Sequence, residues 1–323
     1  MRFAGSVIVY SVCVEVENRV PFTLQFRAGT LTGLPVEIKA APVAPALLTL
    51  LEFRRMLPST FVILSGIGPA TERRLWQDGL LTWNHFLNQP KIPGISAHRK
   101  HWYDQELVRA RAEFDSGHLD YFTSRLAGRE HWRFFELCEP RTLYLDIETT
   151  GTSPHDGDVT VVGLHRRGET VCLVRGETLT AERLQAELDA CTLLVTFFGT
   201  SFDVPYLRAK FPQLTFSMPH FDLCFAARRL GLSGGLKQIE RELGIERDRA
   251  VNGLDGWDAV RLWMQWRAGD AAARDLLLAY NAADTANLAP LAKHVFEDSL
   301  FRFGPASVGA SRLLHPDRQE LHA

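Results

Sequence analysis

Residues 144–151 read Tyr-Leu-Asp-Ile-Glu-Thr-Thr-Gly, which places two carboxylates, Asp146 and Glu148, inside an apolar stretch. Because side chains alternate across a strand, these acids share one face of a predicted strand, roughly 6.5 Å apart. Burying both as bare anions would be costly through desolvation and mutual repulsion, and a divalent cation removes both costs. The alternative is a pair of solvated acids at the end of an edge strand, and this stretch alone does not decide between the two.

Further acids follow at intervals that fit one domain. The stretch 194–198 is β-branched and aromatic and predicts a strand, after which Gly199 predicts a turn and Asp203 the start of a helix. Residues 271–291 are rich in Ala and Leu and predict a helix on which Tyr280 and Asp284 share a face. Taken singly, an acid in a first helical turn and a Tyr/Asp pair on a helix surface are both common. The combination favours a shared cation site.

The combination resembles the DEDD superfamily of 3′-to-5′ exonucleases, in the version that has Tyr in the third motif. Asp146 and Glu148 match its first motif, Asp203 its second, and Tyr280 with Asp284 its third. The match covers about residues 141–296. Finer features are similar to those of the bacterial YprB-like ribonuclease-H-like proteins, namely Phe202–Pro205, His220–Leu223, Gly234–Lys237 and Tyr280–Asp284.

The resemblance implies an α/β fold of the ribonuclease-H-like type, a mixed sheet flanked by helices. The patterns agree, since 160–164 and 170–174 predict a strand hairpin and 181–188 predicts a helix before the next strand. Phe198 departs from the family pattern, because many of these exonucleases have Asn there, which leaves the positioning of substrate at this point open. Asp222 is explained either as a helix N-cap or as support for the site. Residues 253–258 predict a turn that opens a helix and, by resemblance, lines the substrate groove.

The resemblance also implies a chemistry, the hydrolysis of phosphodiester bonds in single-stranded DNA or RNA with two divalent cations, Mg²⁺ or Mn²⁺. Carboxylates supply the oxygen ligands that these ions prefer. Asp146 is the expected bridging ligand; by resemblance, Glu148 and Asp284 favour the ion that holds the attacking water, and Asp203 helps to hold the other. Tyr280 is assigned to positioning that water, since a phenol with a pKa of about 10 is a poor base at neutral pH.

Composition sets outer limits on the function. A chain of 323 residues with 46% hydrophobic residues and no long apolar run predicts one or two globular domains and no membrane span. Because the net charge is only −2, nucleic acid would have to bind a local basic patch rather than the protein's overall field. One tract is a candidate for such a patch, and the alternative is that it forms a solvated helix face. It contains Arg228, Arg229, Lys237, Arg241, Arg247 and Arg249. The five cysteines lack a Cys-x-x-Cys spacing, which argues against zinc and disulfides and predicts a cytoplasmic protein.

The N-terminal part is divided into two predicted regions. Residues 1–55 form a poorly defined extension with a linker-like stretch at 35–48, and one hypothesis places the native start at Met56. Residues 56–140 form a smaller helical region, followed by the exonuclease-like domain at 141–300 and a tail at 301–323.

A second resemblance lies within the helical region, where residues 61–69 resemble the hairpin of a helix-hairpin-helix motif. Gly66 and Gly68 would permit a tight turn, and the amides of the following helix would receive a phosphate, with charge added by Arg73 and Arg74. The alternative is a structural turn that packs this segment on the sheet domain. With Lys237, these four residues are the predicted contacts to nucleic acid.

Two other functions stay open beside the 3′-to-5′ exonuclease. One is a nucleic-acid-binding module with weak or no catalysis, against which the acid cluster argues because it repels phosphates. The other is a phosphodiesterase that acts on small nucleotides. The sequence does not distinguish DNA from RNA, a choice that depends on contacts to the 2′-hydroxyl.

Overall fold

The computed structural model describes residues 9–13, 23–27, 56–305 and 307–308. The chain divides into two compact units, Met1–Leu47 and Leu48–Ala323. In the first unit, β1 (Val9–Cys13) pairs antiparallel with β2 (Thr23–Arg27), two strands that the sequence analysis did not predict. The predicted linker at 35–48 lies outside the described residues, as do the residues just before Met56 and most of the tail.

A mixed sheet of five strands forms the centre of the second unit, in the order β5-β4-β3-β6-β7. β3 is antiparallel to β4 and parallel to β6, while β4 and β5 form an antiparallel hairpin and β6 and β7 are parallel. The strands are β3 Thr142–Thr149, β4 Val159–Arg166, β5 Glu169–Val174, β6 Leu193–Thr196 and β7 His220–Asp222. The strand hairpin that the sequence predicts at 160–164 and 170–174 is confirmed as β4 and β5, which follow β3.

Helices surround this sheet. Those that precede it are Pro69–Gln77, Trp83–Leu87, Ala97–Asp115, Asp120–Thr123 and Phe135–Cys138, with 3₁₀ turns at Leu57–Ser59, Gly128–Phe134 and Glu139–Arg141. Those that follow β5 are Ala181–Asp189, Asp203–Lys210, Leu223–Leu230, Leu236–Leu243, Gly256–Arg267 and Ala271–Phe303, the last of which we call the C-terminal helix. None of the helices in the described ranges combines the length and the apolar character needed to cross a bilayer.

The two faces of β3 carry different side chains. Leu143, Leu145 and Ile147 are buried in a core cluster with residues of the helices Ala181–Asp189 and Asp203–Lys210. Period-two alternation therefore turns Asp146 and Glu148 to the opposite face, against which the C-terminal helix packs. The fold thus points both acids toward the helix that carries Tyr280 and Asp284.

The helical region before the sheet shares its core with the sheet domain. Phe135 contacts both Phe221 and Phe296, with ring centroids 5.9 and 5.3 Å apart, and Trp132 contacts Phe296 at 6.2 Å. One hydrophobic core therefore crosses residue 140. The division into domains at 56–140 and 141–300 stays a prediction.

Candidate active site

Three carboxylates converge between β3 and the C-terminal helix. Asp146, Glu148 and Asp284 each offer an oxygen, and these oxygens lie within 4.8 Å of one another. They line an open cavity of about 420 Å³ together with Tyr280 and Asp203. The strand period i and i+2 and the helix period i and i+4 bring four of the predicted residues to this cavity, and the start of the helix Asp203–Lys210 brings the fifth, Asp203.

A glycine lets the C-terminal helix come this close to the sheet. Gly163 on β4 lies directly across from Asp146. A Cβ atom there would lie 2.5 Å from Asn281 Oδ1 and would overlap Thr285 Oγ1 even more closely. Asn281, which is fully buried, uses the space to donate a hydrogen bond from Nδ2 to Asp146 Oδ2 at 3.0 Å. Sequence reasoning missed Asn281, although a polar residue between Tyr280 and Asp284 in an apolar helix was a signal.

Changing Gly163 to Ala should lower the free energy of unfolding by about 1 to 3 kcal/mol, the usual cost of overpacking a core. The added methyl would also push Asn281 away from Asp146 and so loosen the acid cluster. Urea unfolding monitored by circular dichroism measures the first effect. Gly128→Ala is the matched control, because nothing lies within 4 Å of a Cβ at that position. Equal stabilities of the two variants would contradict the prediction.

Asp203 lies in the same cavity but is held differently from the other acids. It begins the helix Asp203–Lys210, is 4% exposed, and its Oδ1 accepts a hydrogen bond from Ile147 N at 3.1 Å. Burial raises the pKa of Asp203 to about 7, against the effect of hydrogen bonds from its own N–H and from that of Ile147. Asp203 is therefore fastened to the strand segment between Asp146 and Glu148, and it is not one of the three converging carboxylates.

The acid cluster is electrostatically unfavourable as it stands. Burial, followed by the charges of Glu148 and Asp284, raises the pKa of Asp146 well above its usual range. Burial and the charge of Asp284 do the same to the pKa of Glu148. Such buried like charges persist in proteins where a counter-charge is bound.

Two cations of the chain reach the cluster. Lys237 Nζ donates to the Tyr280 hydroxyl at 2.7 Å, lies 4.4 Å from its ring centroid, and also contacts the carbonyl of Leu254. Arg247 contacts the Asp284 carboxylate while its other nitrogens pair with Glu240, a buried acid.

Burial raises the pKa of Tyr280, and the charges of Asp284, Glu148 and Asp146 raise it further. The phenol is therefore neutral at neutral pH, and its assignment to positioning the water stays a prediction.

Two cations of the basic tract at 228–249 are engaged in contacts within the protein. Both interpretations of the tract were wrong for Arg247, whose side chain is only 6% exposed and ion-paired. The Arg229 guanidinium also has partners within the protein, since it donates to the Arg129 carbonyl at 2.6 Å and to the Glu130 carboxylate at 3.4 Å.

Two turns contribute further residues to the wall of the cavity. The predicted turn at 253–258 is confirmed: Asp255 caps the helix Gly256–Arg267 through a capping box, and Asp255, Gly256 and Trp257 line the cavity. The N-cap interpretation of Asp222 is also confirmed, since its carboxylate accepts from Cys224 N. The same carboxylate holds the turn at 198–200, which lines the cavity through Phe198.

Residues 143–296 match the family model RNase_H_2, described as the RNase_H superfamily. The chain carries a ribonuclease-H-like domain. This match and the five-stranded mixed sheet confirm the predicted fold class. No curated protein matches the chain.

Several solved structures resemble the chain. Brucella melitensis NrnC bound to pGG has 21% identity and a TM-score of 0.37, covering 58% of this chain and 93% of that one. The Aedes aegypti Nibbler EXO domain has 16% identity and a TM-score of 0.38, covering 55% and 90%. The family B DNA polymerase of Pyrobaculum calidifontis has 15% identity and a TM-score of 0.41, covering 52% and 27%. At these TM-scores the likeness carries no argument about activity.

The predicted helix-hairpin-helix residues lie outside the cavity of the ribonuclease-H-like domain. Gly66, at φ +84°, and Gly68, the N-cap of the helix Pro69–Gln77, form the expected tight turn. Arg73 and Arg74 are exposed on that helix. None of these four residues lines the acid cavity, and binding of nucleic acid by them stays a prediction.

Proposed function

We propose that this protein is a metal-dependent nuclease of the DEDD type with Tyr in the third motif, similar to the YprB-like proteins. It would hydrolyse phosphodiester bonds of single-stranded nucleic acid from the 3′ end, in the cytoplasm. The observation that carries this proposal is the convergence of Asp146, Glu148 and Asp284 within 4.8 Å at an open cavity.

The donor set fits a divalent cation. It consists of hard carboxylate oxygens, and the pKa values of Asp146 and Glu148 are raised by burial and by neighbouring negative charge, which a bound cation would offset. We propose that Asp146, Glu148 and Asp284, with Asp203, hold two ions, Mg²⁺ or Mn²⁺, of which Asp146 is the shared ligand. Bound there, such ions supply an activated water and neutralise charge on the phosphate.

The chain's own side chains would fix the geometry around that centre. Asn281 holds the carboxylate of Asp146, and Ile147 N holds that of Asp203. Lys237 donates to the Tyr280 oxygen, so the phenolic hydrogen is the one available to an acceptor in the cavity, where the side chain of Asp284 lies within hydrogen-bonding reach. Tyr280 would therefore orient the attacking water through a hydrogen bond without taking its proton.

A phosphodiesterase for small nucleotides is the second candidate. The acid-lined cavity of about 420 Å³ falls in the size range of about 300 to 1,000 Å³ that is typical of small-molecule sites. A cavity of this size suits a small nucleotide as well as the end of a strand.

One digestion series distinguishes these activities. Single strands of DNA and RNA with a 5′ label are incubated with Mn²⁺ or Mg²⁺, beside a circular single strand and a dinucleotide. Shortening from the 3′ end with the circle intact supports the exonuclease. Cleavage of the circle would indicate an endonuclease, and cleavage of the dinucleotide alone would favour the second candidate. Binding without any cleavage, in all metals, would support a binding module.

Tyr280→Phe should reduce turnover by about 10- to 100-fold, less than the roughly 10²- to 10⁴-fold that is typical of a general acid or base, because Tyr280 only orients the water. Metal affinity should not change, because all carboxylates remain. The initial rate on a labelled oligonucleotide and the rise in melting temperature with added Mn²⁺ measure the two effects. Tyr121→Phe, which removes a hydroxyl outside the acid-lined cavity, is the control. A Tyr280→Phe protein as active as the wild type would show that the hydroxyl does not position the water.

A further inference from the structure

Phe198 adopts a backbone conformation that is unfavourable for its side chain. Its φ is +69°, in the left-handed region that Gly and Asn enter readily and a bulky residue rarely does. Its ring is 40% exposed to solvent at the edge of the acid-lined cavity. Neither backbone preference nor burial of the ring explains a phenylalanine here, and conformations of this kind concentrate at functional sites.

The surrounding residues fix this conformation. The Asp222 carboxylate accepts hydrogen bonds from both Phe198 N and Thr200 N, each at 2.9 Å. Between them, Gly199 N donates to Thr196 Oγ1 at 3.1 Å, and a side chain at Gly199 would overlap Thr196. These bonds fix the backbone conformation from which the Phe198 ring projects.

A second exposed aromatic ring lies beside the first. Phe225 is 38% exposed, and its ring centroid lies 5.8 Å from that of Phe198 at an interplanar angle of 40°. The Arg228 guanidinium lies 5.7 Å from the Phe225 ring centroid on the exposed side of the helix Leu223–Leu230. Phe198, Phe225 and Arg228 therefore lie one after another on the surface, beginning at the edge of the acid-lined cavity.

We propose that Phe198 and Phe225 form a stacking platform for the unpaired bases of a nucleic acid strand whose phosphodiester lies at the acid cluster. The proposal rests on the proposed nuclease function and names its specificity element. Every base offers a π face, so an exposed ring binds bases without sequence preference, and Arg228 meets the negative charge of the backbone. In a duplex the base faces are stacked on each other, so the platform would select single strands.

The test measures binding separately from cleavage. Anisotropy of a labelled oligothymidylate, with Ca²⁺ in place of Mg²⁺, is compared with that of an abasic strand of equal length. Phe198→Ala and Phe225→Ala should each weaken binding of the base-bearing strand by about 5- to 100-fold and leave the abasic strand unaffected. Phe301→Ala is the control, since Phe301 is 65% exposed and does not line the acid-lined cavity.

Phe198→Gly separates stacking from a packing role. Glycine accepts a φ of +69° without strain, so the melting temperature should stay the same or rise while strand binding falls as in Phe198→Ala. A lower melting temperature for Phe198→Gly, equal losses on base-bearing and abasic strands, or unchanged binding in both alanine variants would overturn the platform. Unchanged strand binding in both alanine variants is the result expected if these rings bind an apolar ligand or a protein instead of bases.

The two proposals fail differently. If the wild type cleaves strands while both alanine variants bind the base-bearing strand normally, the platform is wrong and the nuclease stands. If the wild type binds strands through these rings but cleaves no phosphodiester with any divalent ion, the nuclease is wrong and the platform stands.

Discussion

Asp146→Asn should abolish hydrolysis, with a loss of more than about 100-fold, since losing even an outer partner of a metal ligand typically costs about 10- to 100-fold. An oxygen of Asp146 lies within 4.8 Å of oxygens of Glu148 and Asp284, and Asn281 fixes the orientation of the Asp146 carboxylate. An asparagine keeps the oxygen that accepts the hydrogen bond from Asn281 Nδ2. The variant therefore removes charge and metal affinity while leaving this local contact intact.

The same variant should raise the melting temperature of the metal-free protein. The pKa of Asp146 is raised in the folded state by burial and by the charges of Glu148 and Asp284. A raised carboxylate pKa means that the folded state binds protons more tightly than the unfolded state, so stability falls as the pH rises through the folded pKa. At neutral pH the charged cluster therefore destabilises the fold, and removing one charge recovers part of that cost.

Thermal unfolding with and without Mn²⁺ measures both consequences. In the presence of a chelator, Asp146→Asn should melt at a higher temperature than the wild type, and the difference between the two melting temperatures should narrow as the pH is lowered. Added Mn²⁺ should raise the melting temperature of the wild type far more than that of the variant. Asp298→Asn, an exposed aspartate on the same C-terminal helix, should change neither stability nor activity. A destabilised, metal-responsive Asp146→Asn protein would contradict this account of the cluster.

The acids of the site were predictable because each is marked by a local feature of the sequence. Asp146 and Glu148 share a strand face, Tyr280 and Asp284 share a helix face, and Asp203 follows a turn at a helix start. These relations can be read without knowing which elements pack together. The resemblance to the three motifs of the DEDD superfamily then grouped the residues into one predicted site.

The supporting residues were not predictable, since they depend on how the elements pack. Gly163 matters only because the register pairs it with Asp146 and the C-terminal helix crosses there. Arg247 belongs to no regular element, and its contacts with Glu240 and Asp284 join residues 7 and 37 positions away. In the sequence it looked like one more cation of a surface tract.

The second large effect concerns the helical region rather than the acid cluster. Glu72, 1% exposed, accepts hydrogen bonds from Phe61 N and Val62 N, so it holds the first residues of the helix-hairpin-helix-like turn. Arg133 donates to both oxygens of Glu72 at 3.1 and 2.8 Å and to Glu130 at 2.9 Å. This buried network supports the structural interpretation of the turn, because it ties the turn to the segment that leads into the sheet.

Arg133→Leu should therefore lower the free energy of unfolding by about 3 to 5 kcal/mol, the usual cost of leaving buried charges without their partner. Both Glu72 and Glu130 would lose their main cation while remaining buried. Arg129→Leu is a matched control, since Arg129 approaches the same Glu130 at 3.8 Å but is 66% exposed, and such surface pairs contribute at most about 1 kcal/mol.

A double variant tests whether the loss comes from the stranded charge. Glu72→Gln removes the charge but keeps an oxygen for the amides of Phe61 and Val62. Added to Arg133→Leu, it should recover part of the lost stability, so the two changes together should cost less than their sum in urea unfolding. Strict additivity would mean that Arg133 stabilises the region by packing against Trp76 and Trp132, whose rings lie 6.0 and 5.2 Å from its guanidinium, rather than by neutralising Glu72.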